Sequence, residues 1–202
     1  MSMVATVFIV DDDEAVRDSI KELVASVGLA ADTYASAVDF LAAYDDSRAG
    51  CLVLDIRMAR MSGLALQAKL NEMSAKIPIV FITAHADVPT AVEALRAGAS
   101  NFVTKPYREQ ELLDSINEAL AQDAAARNVA KEGSRYAASL DALTEREREV
   151  LDLAVTGLPS KVIAQQLGIS YRTVELHRSR VLEKLGVGSM VELIRIAAER
   201  RG

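Results

Sequence analysis

The chain sets acids and a lysine where apolar segments stop. Asp11-Asp12-Asp13-Glu14 follows the apolar run at 6–10 directly, Asp55 closes the run at 51–54, and Lys105-Pro106 comes just after the run at 101–103. A buried strand that ends in a charged side chain presents that charge at the rim of a sheet. In open parallel α/β sheets, ligands bind beyond the carboxyl ends of the strands. Several carboxylates gathered there disfavour one another's ionised form, so they need a hard, oxygen-seeking cation such as Mg2+. A lysine beside them supplies the positive charge that a transferred phosphoryl group requires. These residue types at these positions describe metal-assisted phosphoryl chemistry.

Such an arrangement needs a scaffold that brings three strand ends together. Short apolar runs at 6–10, 30–34, 51–54, 78–82 and 101–103 are predicted as strands. Amphipathic segments with recognisable ends lie between them. One spans 14–27 and is stopped by Gly28; another opens at Ser36 with Asp39 three residues on. Of five helices expected in all, the fourth runs from about 87 to Gly98 and the fifth from 109 into 125. Strands alternating with helices imply right-handed βαβ units. Residues 1–122 are therefore expected to form a flavodoxin-like, doubly wound α/β domain on a five-stranded parallel sheet. Asp13 reads as the N-cap of the first helix. Asp11 and Asp12, as an adjacent pair, gain nothing as caps.

Residues 123–140 are Ala-rich and polar, contain Gly133-Ser134, and are expected to be a linker that is helical in part. The segment 141–202 has no strand pattern and is expected to be an all-α domain of four helices. Thr144 and Glu147 form a capping box for the first, which ends at Gly157. Ser160 caps a short helix to Leu167, Gly168-Ile169 turns the chain, and Ser170 caps a longer helix over 171–185. Ser189 and Glu192 box the last, to about Arg200. Two helices joined by a short Gly-containing turn make a helix-turn-helix.

At 202 residues, half of them apolar and 26% charged, the chain suits two globular domains. No apolar run has the length of a membrane span, and the first apolar run ends in acids, unlike a secretion signal. The single cysteine, Cys51, excludes an internal disulfide and reads as a buried core thiol, in keeping with a reducing cytoplasm. Charge is uneven. Residues 1–122 carry 10 basic and 18 acidic side chains, whereas 160–184 hold Lys161, Arg172, Arg178, Arg180 and Lys184 against Glu175 and Glu183. An acidic front and a locally basic back indicate different partners.

The front resembles the receiver domain of two-component response regulators. The matching residues are Val10-Asp11-Asp12, Leu54-Asp55-Ile56-Arg57-Met58 with Met61-Ser62-Gly63, Ile82-Thr83-Ala84, and Phe102-Val103-Thr104-Lys105-Pro106. The resemblance implies that Asp55 accepts a phosphoryl group from a phosphohistidine on a sensor histidine kinase. It implies Mg2+ on Asp12, Asp55 and the backbone carbonyl of Arg57, with Asp11 helping through a metal-bound water. It also implies that Lys105 pairs with a phosphoryl oxygen, that the Thr83 hydroxyl swings toward the group, and that Phe102 turns inward behind it. Receivers of this kind usually carry proline where this chain has Ala59, which predicts a less rigid loop and an altered phosphoryl lifetime. His85 reads as a loop residue.

The back resembles the LuxR-type helix-turn-helix, on Leu143 to Leu151, Gly157, Lys161-Val162-Ile163-Ala164, Ile169-Ser170 and Thr173 to Arg178. With both halves the chain is similar to the NarL/FixJ response regulators, closer to the FixJ branch. That resemblance implies phosphorylation-driven homodimers, duplex promoter DNA as target, RNA polymerase as a further partner, and no membrane. At about 100° per residue, Val174, Val181 and Leu185 share an inward face of the second helix of the motif. Arg172, Glu175, Leu176, Ser179 and Glu183 share the outward face, whose N-terminal members suit base edges. Thr173, Arg180 and Lys184 on the flank, and Lys161 on the helix before, suit phosphates. His177, beside the inward face, reads as packed or bonded to backbone.

Two rival readings remain at this point. A phosphohydrolase of the haloacid dehalogenase kind needs an acid two residues after its nucleophile, where this chain has Arg57. A signalling protein whose helical tail binds protein or RNA differs by lacking salt-dependent, sequence-selective binding to duplex DNA.

Overall fold

The computed structural model describes residues 5–84 and 88–199, in two compact units, Met1–Asn128 and Val129–Gly202. His85, Asp87 and Arg200 lie outside the described residues.

In the first unit, β1 (Thr6–Val10), β2 (Ala30–Tyr34), β3 (Gly50–Asp55), β4 (Ile79–Thr83) and β5 (Asn101–Thr104) form one parallel sheet in the order β2-β1-β3-β4-β5. Successive side chains point to opposite faces, and both faces are covered. Val7, Ile9, Val53, Val80 and Ile82 pack with α1 (Glu14–Ser26) and the start of α5 (Glu109–Asp141). Phe8, Val10, Leu52, Leu54 and Phe81 pack with α2 (Ala37–Ala43), α3 (Gly63–Glu72) and α4 (Val88–Arg96). Burial on both sides explains why the central strands read as continuous apolar runs. The strand order reverses between β1 and β3, and Val10 pairs with Leu54 across them. The next residues, Asp11 and Asp55, therefore emerge level at the switch point where such sheets bind ligands. Gly63 seals this end from behind: a Cβ there would stand 2.3 Å from the Asp55 carbonyl oxygen.

The segment expected to be a linker helical in part is helical throughout. Helix α5 runs unbroken through it for 33 residues, with Gly133 and Ser134 inside. Alanine and charged helix formers dominate, and one interior glycine costs only about 1 kcal/mol. Side chains also anchor the segment. Buried Asp123 accepts from the Gly50 amide at 2.9 Å, and Arg127 bonds Asp123 and the carbonyls of Ser47 and Arg48. Further along, Tyr136 and Leu140 pack into the second unit's core.

That unit contains α6 (Glu145–Ala154), α7 (Ser160–Leu167), α8 (Tyr171–Leu185) and α9 (Met190–Glu199). Gly168 and Gly186 take the left-handed conformation that ends α7 and α8. The cap of α7 differs from expectation. Pro159 holds the N-cap position without a side-chain bond, and the buried Ser160 hydroxyl instead accepts from the Arg178 guanidinium. Ser160 thereby ties α7 to α8.

Candidate functional site

The strand-end residues converge. Lys105 stands just past β5 and donates to Asp11 Oδ2 at 2.7 Å and to Asp55 Oδ1 at 2.9 Å. Both acids are nearly sealed from solvent, Asp11 at 1% and Asp55 at 6% exposure. The second oxygen of each is held by backbone: Asp11 Oδ1 accepts from the Asp13 amide at 2.9 Å, and Asp55 Oδ2 from the Arg57 amide at 2.6 Å. Asp13 caps α1 as expected, accepting from Ala15. Burial pushes the Asp55 carboxyl above its ordinary pKa, against the opposing pull of Lys105. Burial also works against the Lys105 ammonium, but its bonds to Asp11 and Asp55 win and its pKa is raised. Lys105 stays charged.

Thr83, 1% exposed, ends β4 beside this group. Phe102 on β5 is half-buried and packs against the core on the α2–α4 face of the sheet. Asp12 is exposed and turns to the loop after β3, where Oδ2 accepts from the Ala59 amide at 3.0 Å. Among the described residues no three His, Cys, Asp or Glu side chains stand close enough to hold a metal by themselves. The residues still fit Mg2+, which keeps several waters and takes one or two carboxylates instead of a full protein cage. Asp12 and Asp55 are the carboxylates that would supply those, and the Arg57 carbonyl lies in the loop after Asp55.

Other members escaped the sequence reading. Arg17 Nη1 donates to the Asp11 carbonyl at 2.8 Å, and Tyr107, its pKa raised by burial, lies near enough to sense the charges of Lys105 and Asp11. The Lys105-Pro106 peptide is cis. Arg17 was legible as one turn into a helix that starts at the site; the other two leave no signal in sequence.

In the second unit Val174, Val181 and Leu185 are buried as the periodicity demands. Arg172, Glu175, Leu176, Ser179 and Arg180 are exposed on α8, and Lys161 is exposed in the first turn of α7. A groove between the starts of these helices is lined by Lys161, Tyr171, Glu175 and Ser179. Leu176, half exposed on a polar face, has no intramolecular reason to be apolar. Thr173 is half-buried and shares its hydroxyl with the cap residue Ser170 at 2.8 Å. His177 is packed, with Nδ1 buried and without a hydrogen-bond partner.

Lys184 is exposed, but its ammonium reaches back onto the domain itself. Its ammonium donates to Glu147 Oε2 at 2.7 Å and to the Ala142 carbonyl at 3.0 Å. Glu147 is 2% exposed and completes the α6 capping box through the Thr144 amide. Lys184, then the Thr144 amide, lower its carboxyl pKa from an ordinary 4.5 to about 2. A depressed folded-state pKa contributes stability that is present above the ordinary value and is lost as pH falls toward the folded one. Glu147→Gln is expected to cost about 2 kcal/mol at pH 7, discounted for the partly exposed Lys184. In denaturant unfolding of the full chain, the gap to the parent should shrink between pH 4.5 and about 2. A gap independent of pH would mean that the ion pair contributes nothing.

Known proteins share both halves. Residues 7–117 match the family described as "Response regulator receiver domain", and residues 141–197 the family described as "Bacterial regulatory proteins, luxR family". The chain is 45% identical to the transcriptional regulatory protein TdiR of Thauera aromatica over 190 residues, covering 94% of this chain and 84% of TdiR. It is 43% identical to the transcriptional regulatory protein FixJ of Rhizobium meliloti over 192 residues, 95% and 94% of the two chains. The solved response regulator StyR superposes with a TM-score of 0.87 at 42% identity, over 96% of this chain and 98% of StyR. Full-length FixJ from B. japonicum gives 0.61 at 34% identity, over 98% and 97%.

Proposed function

We propose a phosphorylation mechanism for this chain, which belongs to the FixJ-like response regulators, pairing a receiver domain with a LuxR-type DNA-binding domain to regulate transcription. A sensor histidine kinase presents a phosphohistidine, Asp55 attacks phosphorus, the nitrogen–phosphorus bond breaks, and an aspartyl phosphate forms. The observation that carries this reading is Lys105, within 2.9 Å of both Asp11 and Asp55 at the switch point of the sheet. Its charge meets the oxygens of a transferring group that needs positioning and neutralisation more than covalent help. When bound, Mg2+ supplies further neutralisation of those oxygens. Asp12, Asp55 and the Arg57 carbonyl are the residues that would hold it, with Asp11 acting through a bound water. Thr83 and Phe102 would respond to the phosphoryl group. Arg57 stands two residues after Asp55, where a phosphohydrolase of the haloacid dehalogenase kind needs an acid, which supports a switch over a phosphohydrolase.

The output is DNA binding as a dimer, by a protein that works in the cytoplasm. Helix α4 exposes Val88 at 77%, Val92 at 39% and Leu95 at 47%, an apolar strip along one side of the helix. Phosphorylation adds nearly two negative charges next to β4 and β5, and the face of α4, β5 and the start of α5 is the interface it would bias. A nearly complete shift between two states takes about 5.5 kcal/mol of differential interaction, within reach of several charge-assisted hydrogen bonds. Sedimentation of the full chain should show monomer before phosphorylation and dimer after it, at concentrations where duplex DNA is bound. The same mass in both states would defeat the dimer interface. RNA polymerase is a further partner of a promoter-bound regulator, and the exposed strip is not assigned to it.

On DNA, α8 would enter the major groove with Glu175, Leu176 and Ser179 toward base edges and Arg172 beside them. Lys161, Arg180 and Thr173 would lie against phosphates. Lys184 is left out, because its ammonium is already engaged by Glu147.

A further inference from the structure

We propose that the backbone N–H of Ala59 positions the Asp12 carboxylate for the divalent cation. The proposal rests on the reading of the cation site given above. Asp12 follows β1 by two residues and is exposed, so the sheet does not fix its side chain. The loop after β3 does. Its Arg57 amide holds Asp55 Oδ2 at 2.6 Å, and two residues on its Ala59 amide holds Asp12 Oδ2 at 3.0 Å. Alternate amides of one loop thus grip the two carboxylates expected to ligate the cation, while the carbonyl between them belongs to the same loop.

The loop is shaped for this. Immediately after Ala59 it folds back in a tight turn centred on Arg60, with the Met61 amide donating to the Ala59 carbonyl at 2.8 Å and Arg60 at φ 69°. A non-glycine residue persists in that region only when its surroundings over-determine it. The Gly63 amide, bonded to the Ile56 carbonyl at 2.9 Å, closes the loop's far end. Proline, usual at position 59 in receivers of this kind, has no N–H and could not make the Asp12 bond. In this chain a hydrogen bond to the ligand does what ring stiffness does elsewhere. One Asp12 oxygen is held by the Ala59 amide, which leaves the other to serve the cation.

Two substitutions separate the amide from loop stiffness. Ala59→Gly keeps the donor and loosens the loop; Ala59→Pro removes the donor and stiffens it. In calorimetric titration of the full chain with Mg2+ alone, Ala59→Gly should bind within about twofold of the parent. Ala59→Pro should bind about tenfold more weakly, the low end for losing a hydrogen bond to a metal ligand. A proline variant that binds as tightly as the parent or tighter overturns the proposal. A readout independent of the variants' folding is hydrogen exchange at the Ala59 amide in the parent chain. It should be slowed at least about tenfold relative to an unstructured amide, and Asp12→Ala should release it. Exchange at the unstructured rate also overturns the proposal. If instead the parent takes up no Mg2+, or Asp12→Ala binds it unchanged, the underlying cation site is wrong and the Ala59 role falls with it.

Discussion

Asp55→Asn should abolish phosphoryl labelling of this chain by a small phosphodonor in the presence of Mg2+, while the parent takes up one group. Asparagine matches the volume of aspartate and can still accept from the Arg57 amide, so the fold should survive. What it lacks is the anionic nucleophile. Asp55 is the carboxylate that ends the central strand β3, with Lys105 at 2.9 Å and the acid pair beside it, whereas Asp12 is exposed and turned to Ala59. Asp12→Ala should also lose labelling with Asp55 intact, because it removes a cation ligand, not the nucleophile. The two variants differ in how they respond to metal: high Mg2+ should restore part of the labelling to Asp12→Ala and none to Asp55→Asn. Intact-mass measurement reads both. An Asp55→Asn chain that still gains a phosphoryl group would transfer the acceptor role to another side chain and overturn the site assignment.

In the second domain Glu175→Ala and Lys161→Ala should fail in different ways. Glu175 lies one turn into α8, exposed, where a carboxylate can accept from a cytosine amino group. Its loss should cost about 1–3 kcal/mol on the best operator, relax preference at one base per half-site, and matter little on random DNA. Lys161 approaches a phosphate, so its loss should weaken every duplex alike and reduce the salt slope by about one. A dimer predicts half-sites one helical turn apart. Competition binding on operator and scrambled duplexes over a salt series decides it. If Lys161→Ala changed base preference and Glu175→Ala only lowered affinity, the orientation of α8 would be reversed.

The sequence by itself determined the elements and the chemistry at their ends. The strands at 6–10 and 30–34 match the structure to the residue; β1, covered on both faces, is buried throughout and stops where charge begins, whereas β2 is the edge strand and carries Asp32 and Thr33. The strand at 51–54 widens to Gly50–Asp55, that at 78–82 shifts by one to Ile79–Thr83, and that at 101–103 runs on to Thr104, since a paired backbone can carry a polar side chain at its last position. The acids, the lysine and the buried face of α8 were likewise legible, because they follow from residue type and period.

Tertiary structure decided the rest. Local composition reads 123–140 as helical only in part; its continuity follows also from Asp123 and Arg127 gripping residues more than 70 positions away, and from Tyr136 and Leu140 joining the second unit's core. Lys184 looked like a phosphate contact because helical periodicity reports a face and not a partner, and its partner Glu147 sits 37 residues earlier. Ser160 looked like a cap until Arg178 claimed its hydroxyl. Ala59 looked like the loss of a rigid residue, and only the fold shows its amide facing Asp12, 47 residues upstream. In each case a side chain or amide had a local use that the sequence could name. A longer-range charged or hydrogen-bonding partner captured it, because a polar group withdrawn from water must be satisfied by whatever the fold brings near.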